Sequence, residues 1–364
     1  MTQFVIDIAR AAGKGTDVYL FLTGMMLLAA LARREGVFDY VAGLAFNASK
    51  GSRTRLFALV YIAGVLVTVF LSNDATAVVL TPAVYAVVKK AGGTAEPYLY
   101  ACAFVASAAS FVLPISNPAN LVVYGSALPP LFAWFRVFAL PSVVAIVTTY
   151  LALHFLSRKA LREPMGRATE GIALTSAGVR AIWGIAITGL VLIVASALGR
   201  DLGLATCLTA LAVILLATKG RGIAAIVRDV SWMVLLMIAV LFVVVEGLNR
   251  LGAGRIVNWE LGRLSAFSAS FAAAALCNLM NNLPAGLLIG SHAPPALRAA
   301  VLVGVDLGPN LSVTGSLATV LWLIELRREG VAVSFWTFLK TGAFVMTPAL
   351  ALTALTLSYS AGRS

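Results

Sequence analysis

The chain is built from apolar runs about as long as a bilayer is thick, and several are interrupted by short polar knots. Crossing hydrocarbon as a helix takes roughly 20 apolar residues. Such runs cover 17–33, 97–128, 131–157, 180–199, 203–218, 232–249, 296–326 and 334–359. Two further runs, 54–89 and 264–292, are split. The first is split by Ser72-Asn73-Asp74 and the second by Asn278-Leu279-Met280-Asn281-Asn282. Hydrophobic residues make up 60% of the chain and charged residues 12%, against about 45–50% and 25% in soluble domains. A soluble core cannot hide that much apolar surface, so the lipid bilayer is the solvent for much of it. In lipid every backbone N–H and C=O needs a partner within the protein, which leaves helices or closed barrels. The runs are rich in Leu, Ala and Val and do not alternate, so the expected fold class is an all-α polytopic membrane protein.

The net charge of +12 would raise nucleic acid as a partner in a soluble protein. Here the basic residues cluster between apolar runs, as orientation signals do, and no nucleic-acid-binding pattern appears. Arg53, Arg55, Lys89 and Lys90 flank 54–89, so a hairpin that enters and leaves on the cytoplasmic side satisfies all four. Arg158, Lys159, Arg162, Arg167 and Arg180 put the loop 158–180 on that side. Lys219, Arg221, Arg228, Arg327 and Arg328 follow there, while Arg250, Arg255 and Arg263 fall outside. The expected location is the cytoplasmic (inner) membrane, with many passes. The first fifteen residues contain Asp7 and lack an apolar run before a small-residue cleavage site, so they do not read as a cleavable signal. Cys102, Cys207 and Cys277 lie singly in apolar runs and form neither a disulfide framework nor a metal motif.

The chain is self-similar. Residues 71–84, LSNDATAVVLTPAV, compare with 279–290, LMNNLPAGLLIG. Residues 114–121, PISNPANL, compare with 313–320, VTGSLATV. In each half a polar knot precedes a second polar break and then a long apolar span. If both split runs are hairpins they enter from opposite faces, which makes two inverted repeats, each with a re-entrant hairpin and a broken transmembrane helix. Secondary transporters place broken helices at the midplane in this way, with helix N-termini aimed at the solute. The expected organisation is an amphipathic segment 1–16 and a first repeat 17–157 (hairpin 54–89, broken helix 97–128). A linker 158–230 with two transmembrane helices follows, then a second repeat 231–360 (hairpin 264–292, broken helix 296–326).

The knots supply the candidate substrate-binding residues. Asn73 and Asp74 sit at the first tip with Thr76 just after. Ser116, Asn117 and Asn120 flank Pro118, and the prolines free nearby carbonyls. Asn281 and Asn282 form the second tip, and Thr314, Gly315 and Ser316 are the matching break. A carboxylate in hydrocarbon is expensive unless paired, hydrated or protonated, which makes Asp74 functional by default. An N-cap role for Asp74 has equal claim and is compatible with that. Asp74 and Asp306 are the candidates for proton coupling, with Lys340 available as a partner for Asp306. Cys277 adjoins the second tip. Its thiol could touch a soft solute, although a lone buried cysteine is more often inert. No Walker A, Ser–His–Asp or HExxH pattern occurs, so no enzyme, cofactor or metal site is expected.

The strings VFLSNDATAVVLTPAV, MNNLPAGLLIG and, above all, VDLGPNLSVTGSLATVLWLIELRREG resemble the arsenite/antimonite efflux permease family of ArsB type, a member of the ion-transporter superfamily. The resemblance runs from about residue 17 to the end. It implies export of trivalent arsenic or antimony hydroxides, driven by protons or by a partner ATPase of the ArsA type, and allows a homodimer. It places the family's tip positions on Asn73, Asp74, Asn281 and Asn282, and the broken-span positions on Ser116, Asn117, Thr314, Gly315 and Ser316. Where that family commonly has a basic residue after DLGP, this chain has Asn310. An anion or Na+/H+ carrier of the same superfamily is the alternative expectation. A passive subunit is disfavoured by the matched breaks.

Overall fold

The computed structural model describes residues 13, 15–163, 165–166 and 173–361. Most of the amphipathic segment 1–16, and Arg167, thus lie outside the described residues. Every regular element among the described residues is a helix. The first half holds α1 (Thr16–Arg34), α2 (Val37–Ser49) and a hairpin whose outgoing arm is α3 (Arg53–Phe70). The returning arm starts as α4 (Asn73–Ala75), passes through a π-helical stretch (Thr76–Leu80) and ends as α5 (Thr81–Lys90). A broken helix follows, α6 (Glu96–Ala108) and α7 (Pro118–Tyr124), and then α8 (Leu131–Ser157). The middle of the chain holds α9 (Ser176–Ala197), α10 (Leu202–Thr218) and the short α11 (Ile223–Arg228).

The second half repeats the order. It holds α12 (Trp232–Arg250), α13 (Ala253–Leu261), a hairpin of α14 (Ala266–Met280) and α15 (Asn282–Gly290), a broken helix of α16 (Pro295–Leu307) and α17 (Leu317–Arg328), and α18 (Phe335–Ala361). Nine residues separate the two halves of each broken helix, 109–117 and 308–316. The packing obeys the same symmetry. Within the repeats α3 packs on α6 as α14 does on α16, and α6 packs on α8 as α16 does on α18. Between them α7 packs on α15, the π-helical stretch packs on α17, and α8 packs on α18. The chain is therefore an all-α polytopic membrane protein of two inverted repeats, each with a re-entrant hairpin and a broken helix.

The ends of these helices explain why the runs stop where they do. Ser72, at an extended backbone position, accepts from the Ala75 N–H (3.1 Å) and starts the returning arm. At the second tip Asn281 takes a positive φ of 78°, and its side chain accepts from the Leu283 N–H (3.4 Å). A polar side chain as N-cap contributes about 0.5–2 kcal/mol, so one knot residue is enough to turn an apolar run back on itself. Among the described residues six helices, α1, α3, α8, α9, α12 and α18, are long and apolar enough to cross a membrane. α3 is nonetheless turned back at Ser72. The short helices α2 and α13 correspond to no run expected from the sequence.

The face bearing the basic loops is tied by polar contacts. Arg53 donates to Glu163 (3.0 Å) and to the Ala160 carbonyl (3.3 Å), and Arg34 pairs with Asp229 (3.4 Å). Arg180 donates to the Ala217 carbonyl (2.7 Å). At the other end of the bundle Asp17 accepts from the Gly203 N–H (2.6 Å), joining the starts of α1 and α10.

Close approach of α14 and α16 depends on a residue without a side chain. A Cβ on Gly304 would run into the Ser270 carbonyl and lie 2.7 Å from Ala273 Cβ. Small residues at such crossings let membrane helices approach closely. Gly304→Val is expected to destabilise the protein by about 1–3 kcal/mol or more through overpacking. Gly247→Val on α12, where nothing lies within 4 Å, should leave the melting temperature in detergent near the parent value. Equal losses in the two variants would contradict this packing.

Candidate solute site between the repeats

Four helix starts converge on one point. They are α4 at Asn73, α7 at Pro118, α15 at Asn282 and α17 at Leu317. Each start is capped by the residue before it. Ser72 and Asn281 do so as described, Asn117 accepts from the Ala119 N–H (3.0 Å), and Ser316 accepts from the Thr319 N–H (3.1 Å). Two caps come from each repeat. Helix N-termini carry partial positive charge and free N–H groups, so the point suits an oxygen-rich solute.

The space enclosed there is about 10 Å³, lined by Asn73, Asp74, Asn117, Pro118, Asn282, Leu283, Ser316, Leu317 and Ala318. Leu22 of α1 and Val234 and Ile238 of α12 complete the wall. A volume of this size holds about one water, so the space is too small for a larger solute in this conformation. A second cavity of about 110 Å³ adjoins it, sharing Leu22, Asp74, Pro118, Val234 and Leu317. That cavity extends to Arg33, Asp229 and Ser231 on the basic-loop face. Asp74 stands where the two spaces meet, half-buried.

The cap of the first tip is Ser72, not Asp74. The Asp74 N–H is taken by Asn73 Oδ1 (2.9 Å), and its carboxylate is left facing the cavities. The tips also align one residue differently from the sequence comparison. Asn73 matches Asn282 as the first residue of its arm, and Ser72 matches Asn281 as cap. Asp74 is then opposite Leu283, so the second tip has no carboxylate.

Of the residues expected to bind solute, Asn73, Asp74, Asn117, Asn282 and Ser316 line the central space. Six others line neither cavity. Thr76 is bonded to Thr68 (2.8 Å) inside the hairpin. Ser116 donates to the Val69 carbonyl (3.3 Å), and its own carbonyl accepts from the Asn73 N–H (3.2 Å), which laces the first tip to the first break. Asn120 donates to the carbonyls of Ser110, Leu113 and Pro114 at 2.9, 3.2 and 3.2 Å, so it sustains the broken backbone. Asn281 caps α15. Thr314 donates to the Asn278 carbonyl (3.2 Å). Gly315 lets Pro309 and Asn278 pass close by, where a Cβ would lie 2.6 Å from Pro309 Cα. Asp306 is buried behind the site, and its partner is Asn117 (2.8 Å), not Lys340. Cys277 is buried with its thiol 3.7 Å from the Val305 carbonyl. Asn310 donates to the Phe104 carbonyl (3.1 Å), pinning the second break to α6. Sequence reasoning missed Leu22, Val234 and Ile238, which read like any other apolar span residues. Among the described residues no cluster of three or more metal-ligating side chains occurs.

Comparison with known proteins agrees with this architecture. The family model for citrate transporters, CitMHS, matches residues 3–314. An arsenical pump membrane protein of Escherichia coli is 28% identical, over 92% of this chain and 85% of its own length. One from Yersinia enterocolitica is 26% identical over 92% and 84%. An uncharacterized transporter of Mycobacterium tuberculosis is 26% identical over 98% and 89%. The crystal structure of the Alcanivorax borkumensis YdaH transporter, described as having an unusual topology, superposes with a TM-score of 0.63. The match is 15% identical and covers 98% of this chain and 89% of that one.

The division between lining and bracing residues is testable. Asn120→Ala leaves the Ser110 and Pro114 carbonyls without their donor and is expected to cost about 1–3 kcal/mol. It should lower the melting temperature while leaving solute affinity of the folded fraction unchanged. Asn282→Ala should do the reverse. Equal losses of affinity in both variants would contradict the assignment.

Proposed function

The chain belongs to the CitMHS citrate-transporter family, and on that premise we propose that it is a secondary active transporter exporting arsenite and antimonite across the cytoplasmic membrane, driven by protons. The observation that carries this reading is the central space itself. It is walled by four capped helix starts, neutral amide and hydroxyl side chains, and a single carboxylate, Asp74. Arsenite near neutral pH is an uncharged trihydroxide. Its three hydroxyls match N–H groups, amides and a carboxylate without needing a counter-charge. A polycarboxylate such as citrate would meet the Asp74 carboxylate with no Lys or Arg in the central lining to offset the repulsion. The likeness to arsenical pump membrane proteins supports the same solute.

In this reading the solute enters from the basic-loop face, which is cytoplasmic, through the cavity beside Arg33 and Asp229. It reaches Asp74 first, and Asp74 exchanges the coupling proton. The central space, with room for about one water, must widen to admit the solute. Movement of the hairpin tips relative to each other does this and gives alternating access.

Two measurements test the proposal. An arsenite-sensitive host lacking its own exporter should accumulate severalfold less arsenite when it expresses this chain. Accumulation equal to that of the empty-vector strain would reject the solute assignment. In reconstituted vesicles, Asp74→Asn should remove the acceleration of flux by an imposed pH gradient. Full pH-driven flux in that variant would take Asp74 out of the proton pathway.

A further inference from the structure

Asp306 stands in the last turn of α16, 1% exposed, and lines neither cavity. Its Oδ1 accepts from Asn117 Nδ2 across the boundary between the repeats (2.8 Å), and its Oδ2 has no hydrogen-bond partner among the described residues. The same Asn117 Nδ2 donates to Ser110 Oγ (3.3 Å), while Asn117 Oδ1 caps α7 through the Ala119 N–H (3.0 Å). The other titratable group facing Asp306 is the Cys277 thiol on α14, which lies against the Val305 carbonyl. Among the described residues no basic side chain is paired with Asp306.

A primary amide has one acceptor end and one donor end. With its donor end held by Asp306 and Ser110, the Asn117 amide cannot flip, and its oxygen is committed to the start of α7. That start is one wall of the central space. The corresponding cap in the other repeat, Ser316, pairs instead with Thr319 in its own helix (2.8 Å). At the helix starts this clamp is therefore one-sided: Asp306 of the second repeat holds the cap of α7, while Ser316 bonds within its own helix.

We infer that Asp306 is a positioning residue, which sets the start of α7 and the Asn117 wall of the solute site through one hydrogen bond and exchanges no proton with that site. The inference deepens the transport reading and rests on it for the flux measurements below. A proton carrier must reach the solvent path at some stage, and Asp74 already stands on that path. Asp306 is enclosed, and the acceptor it offers Asn117 is one that an amide oxygen supplies equally well.

The test compares Asp306→Asn, Asp306→Ala, Asn117→Ala and the double variant Asp306→Ala/Asn117→Ala, with arsenite in vesicles under an imposed pH gradient. Asp306→Asn is expected to keep the wild-type pH profile and a flux within about threefold of wild type, because the hydrogen bond is kept. Asp306→Ala should raise KM about tenfold, as loss of one buried hydrogen bond does. Asn117→Ala should do about the same, and the double variant should be no worse. A pH profile flattened by Asp306→Asn, as expected for Asp74→Asn, overturns the inference. So do losses that add in the double variant. If the wild-type protein moves no arsenite, the transport reading fails separately, and melting temperatures of the same four variants decide the clamp. Non-additive losses support it, and additive losses or an unfolded Asp306→Asn protein overturn it.

Discussion

A helix broken inside hydrocarbon exposes backbone carbonyls and N–H groups that no water can reach, and each one left alone costs several kcal/mol. Satisfying those groups is the constraint on which the rest of this structure depends. In the first break the carbonyls of Ser110, Leu113 and Pro114 are all taken by Asn120. The Phe111 carbonyl is taken by the indole of Trp134 on α8 (3.0 Å). In the second break Asn278 reaches from the hairpin to the Gly308 carbonyl (2.9 Å) and accepts from Ser312 (2.6 Å). Only when these debts of the backbone are met can the helix starts be left pointing at an enclosed space.

The two repeats solve the problem with different side chains, and the difference makes the central space asymmetric. Matching positions pair Asn117 with Ser316 and Asp74 with Leu283. The first repeat therefore contributes the carboxylate and the amides of Asn73 and Asn117, while the second contributes the amide of Asn282, a hydroxyl and apolar contacts. A site built on a two-fold frame thus presents two chemically unlike sides to whatever enters it. One side can titrate and the other cannot.

Much of the fold was legible because its breaks are made of residues that cannot continue an apolar helix unnoticed. Pro114, Pro118 and Pro309 remove donors, and Ser72, Asn117, Asn281 and Ser316 offer caps, so the hairpins and broken spans are marked in the chain itself. The helices α2 and α13 were not legible. They are short and carry polar residues such as Asp39, Asn47, Arg255 and Asn258, so no span-length signal arises. The division of labour at the site was only half legible, for a chemical reason. Asn, Ser and Thr are the residues that cap helices, satisfy freed carbonyls and line polar cavities alike, so type and spacing could not separate Asn120 and Thr76, which brace, from Asn73 and Asn282, which line. The one-residue shift between the tips was hidden because the cap is Ser in one repeat and Asn in the other.

The lacing of each tip to its own break has a mechanical meaning. The first hairpin is bonded through Val69 and Asn73 to Ser116 of its own repeat's break, and the second is bonded through Asn278 to residues 308, 312 and 314 of its own. Across the seam between the repeats the hydrogen bonds among the described residues include Asn117 to Asp306, Asn310 to Phe104 and the Tyr85 hydroxyl to the Glu329 carbonyl (3.4 Å), and α7 packs on α15 and α8 on α18. Each repeat is therefore wired mainly within itself, and the surface between the two carries few polar ties. That seam is a parting line in the structure, and it runs through the space where four helices begin.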